Sequence, residues 1–180
     1  MAVFALKNII NLYKQKGSSV LVSFLDASKA FDCVLHAKLC HKLLDRNVPV
    51  SIVSILYFWC KSQKFQVIWN GCVSRTFSVH KGVRQGGVLS PYLFNIYMDD
   101  LGLKLQCSGV GCILQYRFCN IIMYADDIIL LAPTVSALQN MLGICSDYAR
   151  GHNIKFNSSK SVCMRFGRDN TKVADRKSVV

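Results

Sequence analysis

Apolar positions along the chain recur at two spacings, helical and strand-like, and their order lays out its plan. Val3, Leu6, Ile10 and Tyr13 share one side of residues 2–15 and predict a first helix. Residues 20–25 are nearly all apolar, as in a strand buried on both faces, and the run ends on Asp26. After Asp32 a second helix is expected to about Asp45 on Leu35, Leu39 and Leu43; a third opens at Pro49 and Ser51 with Ile52, Ile55, Leu56 and Trp59. Residues 64–70 and 74–80 flank Asn70-Gly71, a strong hairpin signal. Residues 82–88 are glycine-rich. Ser90-Pro91 then supplies an N-cap and a first-turn proline for a helix through about Leu105, with Leu93, Ile96, Tyr97 and Leu101 on one side.

The second half repeats the alternation. Ile121, Ile122 and Met123 precede Tyr124-Ala125-Asp126-Asp127, and Ile128 to Leu131 follow it, which predicts a hairpin with its tip at the carboxylates. Thr134 caps a helix to Arg150, ended by Gly151. Ile154 and Phe156 read as a short strand, Asn157-Ser158-Ser159-Lys160 as a turn, and Val162, Met164 and Phe166 as the return strand. The whole order fits an α+β fold, an antiparallel sheet backed by helices in split-βαβ style.

Asp126 and Asp127 side by side at the edge of a core repel each other, and a divalent cation with a taste for hard oxygen is the usual compensation. An isolated pair would more often be a plain turn. Asp26, ending a buried strand upstream, adds the third carboxylate that a two-metal site needs. The glycine-rich loop before Ser90 reads either as an ordinary turn or as backbone N–H groups at a helix start, where phosphate could sit.

FLDASKAFD, GVRQGGVLSPYLFNIYMDDL, YADDIILLAP and NIKFNSSKSVCMRF stand in the order of palm motifs A, B, C and D of reverse transcriptases. The chain resembles the reverse transcriptases of non-LTR (LINE-type) retrotransposons from about Ala5 to Phe166. That resemblance implies a reverse-transcriptase palm with part of the fingers over 1–166, and a frayed or truncated end over 167–180. It implies an RNA-directed DNA polymerase that uses two Mg²⁺ (or Mn²⁺) ions, an RNA template, a DNA primer and dNTPs. Asp26, Asp126 and Asp127 would be the catalytic metal ligands, Asp126 with Asp26 the stronger pair, and Ala27 would add a backbone carbonyl. Lys160 would be the motif D general acid. Gln85 and Gly86 would belong to the nucleotide site, and Arg84 would contact template or phosphate. Phe31, five residues after Asp26, would be a steric gate against the 2′-hydroxyl, although its pattern alone reads as core. The chain is too short for a thumb, an endonuclease or the fingers motifs ahead of motif A, so a piece of a longer polyprotein or a degraded element is expected. Two rivals stand beside this reading: a non-catalytic nucleic-acid-binding remnant, and a group II intron-type reverse transcriptase.

Composition sharpens the picture. Net charge is +12 over 180 residues, and all ten acids are Asp; six of them (Asp26, Asp32, Asp99, Asp100, Asp126, Asp127) lie inside the motifs, which leaves the remaining surface strongly positive. Nine cysteines, without a C-x-x-C pair, read as reduced and mostly buried thiols of an intracellular chain, nuclear or cytoplasmic. No apolar run reaches membrane-spanning length, so no membrane partner is expected.

Overall fold

The structure, a computed structural model, describes residues 2–167. In chain order its elements are α1 (Ala2–Gln15), β1 (Val20–Asp26), a 3₁₀ turn (Ala30–Cys33), α2 (His36–Asp45) and α3 (Val50–Ser62). Short strands β2 (Lys64–Phe65), β3 (Ile68–Trp69), β4 (Cys72–Val73) and β5 (Phe77–Ser78) lead to α4 (Ser90–Cys107). Then come β6 (Ile113–Leu114), β7 (Arg117–Phe118), β8 (Ile121–Tyr124), β9 (Asp127–Ala132), α5 (Val135–Gly151) and β10 (Val162–Phe166). The expected end segment falls, beyond its first residue, outside the described residues.

Two compact units divide these elements: residues 2–28 with 98–167, and Lys29–Tyr97, so that one boundary lies within α4. The first unit is built on an antiparallel sheet in the order β10-β1-β9-β8. With β9 inserted between β1 and β8, this is a split βαβ arrangement. On one face Ile9 of α1 packs with Val20, Val22, Leu131 and Cys112. Because side chains alternate along a strand, Asp26 continues the Val20-Val22-Phe24 row on that same face. Along the other face α5 contacts β9 and buries Leu138, Met141, Leu142 and Cys145. The Thr134 hydroxyl accepts from Ala137 N at 3.2 Å, the N-cap expected of it.

Two elements of this unit differ from expectation. Ile154 and Phe156 do not pair with β10; Phe156 makes an isolated bridge with Ala27, and β10 lies along the other edge of β1, Val20 opposite Phe166. The apolar alternation was read correctly, but its partner is the central strand, whose second edge a local hairpin would have left bare. The second is the hairpin turn, which consists of Ala125 and Asp126, while Asp127 opens the return strand.

In the second unit α2 packs on α3 and buries Leu39, Leu43 and Val53. The buried Lys42 donates to the Tyr97 carbonyl at 2.8 Å, so its charge is not left unsolvated. Asn70 and Gly71 both have positive φ, as a tight hairpin turn requires, and they join β3 to β4. Ser90 is the first helical residue of α4 instead of its cap: its hydroxyl donates to the Arg84 carbonyl at 2.5 Å and ties the loop to the helix.

All nine cysteines are free; Cys60, Cys112 and Cys145 are buried, whereas Cys72 and Cys107 are exposed, fewer under cover than the sequence implied. Burial pushes the Cys145 thiol up to about 12, against 9.0 for an ordinary thiol. Between those values the unfolded chain has released a proton that the folded chain keeps, so stability falls as pH rises from about 9 towards 12. Urea midpoints across this range should decline, and Cys145→Ala should flatten the decline; an unchanged slope would place the loss elsewhere. No helix among the described residues is long and apolar enough to cross a membrane.

Candidate active site

The first candidate cleft lies in the unit built on the sheet. Across the β1–β9 ladder Asp26 stands directly opposite Asp127, at the end where β9 leaves the hairpin turn. Directly opposed like charges destabilise a sheet. Among the described residues neither carboxylate is held in an ion pair. Phe24, Leu25, Ile128 and Ile129 form the apolar walls of a cleft of about 280 Å³ that also holds Asp26, Asp127 and Lys160.

Asp26 is the hub of this end of the sheet. Its backbone N–H donates to the Ser161 hydroxyl at 3.3 Å, and its carbonyl accepts from Asn157 N at 2.8 Å. Those two bonds fasten the Asn157–Ser161 turn, and with it the exposed Lys160, to the strand that carries the carboxylate. Asn157 folds the turn through its side chain, which accepts from Ser159 N at 3.1 Å. The Asn157-Ser158-Ser159-Lys160 turn is legible in the sequence, but its fastening to Asp26 through Asn157 and Ser161 is not. Carbonyls alternate sides along a strand. With the Asp26 carbonyl turned to Asn157, the Ala27 carbonyl is turned to the β9 side.

Asp126 occupies the second turn position, half-buried, and does not line the cleft. The structure therefore brings together Asp26, Asp127 and Lys160 and sets Asp126 beside them on the turn. Ala125 precedes it with φ 52°, in the left-handed region that costs a non-glycine residue about 1–2 kcal/mol. Among the described residues no three His, Cys, Asp or Glu side chains gather around one point. Two carboxylates are nonetheless a fitting donor set for Mg²⁺, which keeps several waters and takes one or two carboxylates together with substrate phosphates.

The second cleft lies in the Lys29–Tyr97 unit and holds the other predicted residues. Gly82 N donates to the Val34 carbonyl at 2.7 Å, and Val83 N donates to the Phe31 carbonyl at 2.9 Å, so the glycine-rich loop is stitched to the 3₁₀ turn. His36 Nε2 closes the junction on the Gly82 carbonyl at 2.7 Å. Arg84 to Gly87 form a turn with Gly87 N on the Arg84 carbonyl at 3.1 Å, and Gly86 supplies φ +79° at the third residue, as a type II turn requires. Arg84, Gln85 and Gly86 are exposed on it. A cleft of about 430 Å³ runs past Arg84, Gln85, Lys81 and Asp32 over Phe65 and Phe77. The Phe31 ring is half-buried and stacks on Phe94 with centroids 4.6 Å apart.

Comparison with known proteins shows the family and the fold of the chain. The chain matches the family described as reverse transcriptase (RNA-dependent DNA polymerase) over residues 2–177. It is 32% identical over 142 residues to the Retrovirus-related Pol polyprotein from the type-2 retrotransposable element R2DM of Drosophila melanogaster, an overlap of 79% of this chain and 13% of that protein. It is also 32% identical over 151 residues to the RNA-directed DNA polymerase from the mobile element jockey of Drosophila funebris, covering 79% of this chain and 16% of that protein. Among solved structures the fold is similar to apo telomerase from Candida tropicalis truncated from its C-terminal domain, with a TM-score of 0.70 at 13% identity over 95% of this chain and 35% of that one. The chain thus spans a small part of the length of its curated relatives. It belongs to the reverse transcriptase (RNA-dependent DNA polymerase) family, and its similarity to the proteins of the R2DM and jockey elements bears out the LINE-type resemblance.

Proposed function

We propose that this chain is the polymerase core of a LINE-type retrotransposon protein, joining a deoxynucleotide to a DNA primer on an RNA template. The observation that carries the reading is the Asp26–Asp127 pair, opposed across a strand ladder at one end of a cleft with Lys160. In the reaction the primer 3′-oxygen bonds to the α-phosphorus of the dNTP, the α–β phosphoanhydride bond breaks, and pyrophosphate leaves. Such a transfer asks the protein for alignment and charge neutralisation more than for covalent help. Two Mg²⁺ or Mn²⁺ ions, when bound, lower the pKa of the attacking hydroxyl and neutralise the phosphates. Asp26, Asp126 and Asp127 would hold them, and the Ala27 carbonyl would add a ligand. Lys160, fixed to Asp26 through Asn157 and Ser161, would give its proton to the departing pyrophosphate. Arg84, Gln85 and Gly86 would meet the nucleotide and its template base. A solved telomerase from Candida tropicalis is in complex with a fragment of telomeric RNA, which supports an RNA template here too.

Single-turnover extension of a primer on RNA, with the chain in excess, tests the proposal. Extension should require Mg²⁺ or Mn²⁺; binding of primer–template that is indifferent to metal, with no extension, would make the chain a non-catalytic binder.

Phe31 would select the sugar. Phe31→Val keeps an apolar side chain against Phe94 while removing the ring. It should raise ribonucleotide incorporation relative to deoxynucleotide by about tenfold or more. Unchanged discrimination in a folded, active variant would leave Phe31 as the packing partner of Phe94 alone.

A further inference from the structure

The segment between Asp45 and Asp99 contains no carboxylate and carries Arg46, Lys61, Lys64, Arg75, Lys81 and Arg84. Out of it projects a two-stage hairpin. Its base is β2 with β5, where Phe65 stands opposite Phe77 with ring centroids 6.3 Å apart. Its tip is β3 with β4, where Trp69 stands opposite Cys72. The two stages are out of register by one residue. Lys64 pairs with Ser78 at the base, and Ile68 with Val73 at the tip. The Gln66 side chain bonds to Thr76 at 3.1 Å, and the Val67 carbonyl accepts from Ser74 N at 2.9 Å, which leaves Arg75 as the extra residue. This is a β-bulge, the device that re-aims a side chain and recurs beside functional sites. The Ser74 hydroxyl pins it, accepting from Val67 N and donating to the Arg75 carbonyl.

The tip does not bury what it carries. Trp69 is 81% exposed and Ile68 71%, an unusual cost for an indole that could have packed. An exposed indole on a segment that carries cations and no carboxylate is the surface that single-stranded nucleic acid takes: bases stack on the ring and phosphates meet the cations. We propose that the Lys64–Ser78 hairpin is an arm that binds single-stranded nucleic acid, one base stacking on Trp69 and a phosphate meeting Arg75. This rests on the polymerase reading for its biological sense; Trp69 and Arg75 line neither cleft, although Phe65 and Phe77 at the base of the arm also line the second.

The chain has two tryptophans, so Trp59→Phe leaves Trp69 as the sole reporter. In that background oligo(U) and oligo(dT) of about 12 nucleotides, a length within the usual range of single-strand sites, should quench the emission. Trp69→Ala should weaken binding about tenfold without changing the salt slope, and Trp69→Phe should recover most of the loss. Arg75→Ala should lower the salt slope by about 0.7. Full affinity in Trp69→Ala, or quenching that follows protein concentration without oligonucleotide, would overturn the proposal, the latter marking the tip as a contact between copies of the chain. Metal-dependent extension is read separately on Trp69→Ala: its persistence alongside unaltered oligonucleotide binding would remove the arm and leave the polymerase reading standing.

Discussion

Asp26→Asn is expected to abolish primer extension while leaving the chain folded. Asparagine keeps the size of the side chain and the backbone bonds of residue 26 to Ser161 and Asn157, so the sheet end and the Lys160 turn stay in place. What disappears is half of the opposed negative charge. Losing one electrostatic stabiliser of a transition state commonly costs about 10³ in rate, about 4 kcal/mol, and a ligand to the metal that neutralises the phosphates should cost at least that. The folded state, by contrast, should gain slightly, because a directly opposed like-charge pair is relieved. A variant that is more stable and inactive is the signature of a strained site kept for function. Single-turnover extension and thermal unfolding measured together would show it; reduced stability with retained extension would mean that Asp26 is structural.

The second large effect is expected at Gly82. Its φ is +97°, and a Cβ there would meet the Asp32 backbone, 2.9 Å from Cα and 3.0 Å from the carbonyl oxygen. Neither obstacle can rotate away, since both are backbone held by the bonds of Gly82 and Val83 to Val34 and Phe31. Gly82→Ala should therefore destabilise the chain by about 3 kcal/mol. Gly86→Ala is the control: its φ is +79° but no atom lies within 4 Å of the added methyl, so only the conformational cost of about 1 kcal/mol applies. Urea midpoints for the two variants should differ clearly. Equal losses would show that the approach to Asp32 is not tight in solution.

These two positions mark how far the sequence could be read. The apolar runs around Asp26 and Asp127 announce their strands, and burial then forces the register that opposes the two carboxylates. The α+β order, the presence of the helices and the Asn70-Gly71 turn follow from periodicity and turn chemistry alone, but the buried face of α3 does not: Ile52, Ile55 and Trp59 are exposed, and Val53 and Cys60 are the residues under cover. The position of the Ala125-Asp126 turn does not, because Ala125 in the left-handed region leaves no compositional trace. Gln115 and Tyr116 share that problem; both have positive φ at the β6–β7 turn, and neither residue advertises a hairpin. The partner of β10 was hidden as well, since alternation fixes a strand but not which edge it joins. The glycine-rich loop reads as a turn or as a phosphate site, and neither reading foretells that Gly82 serves a backbone approach to Asp32, a long-range requirement that no local pattern encodes. The Asn157 turn is legible, but the bonds of Asn157 and Ser161 to residue 26 are not, because that residue lies far away in the chain.

The central claim is that the Asp26–Asp127 pair holds divalent metal for nucleotidyl transfer. The most direct measurement is a Mn²⁺ titration followed by electron paramagnetic resonance, in the presence of dNTP, on the unaltered chain, Asp26→Asn and Asp127→Asn. The account predicts Mn²⁺ bound with the nucleotide by the unaltered chain, and loss of that signal in both variants. Equal Mn²⁺ binding by all three chains would contradict it.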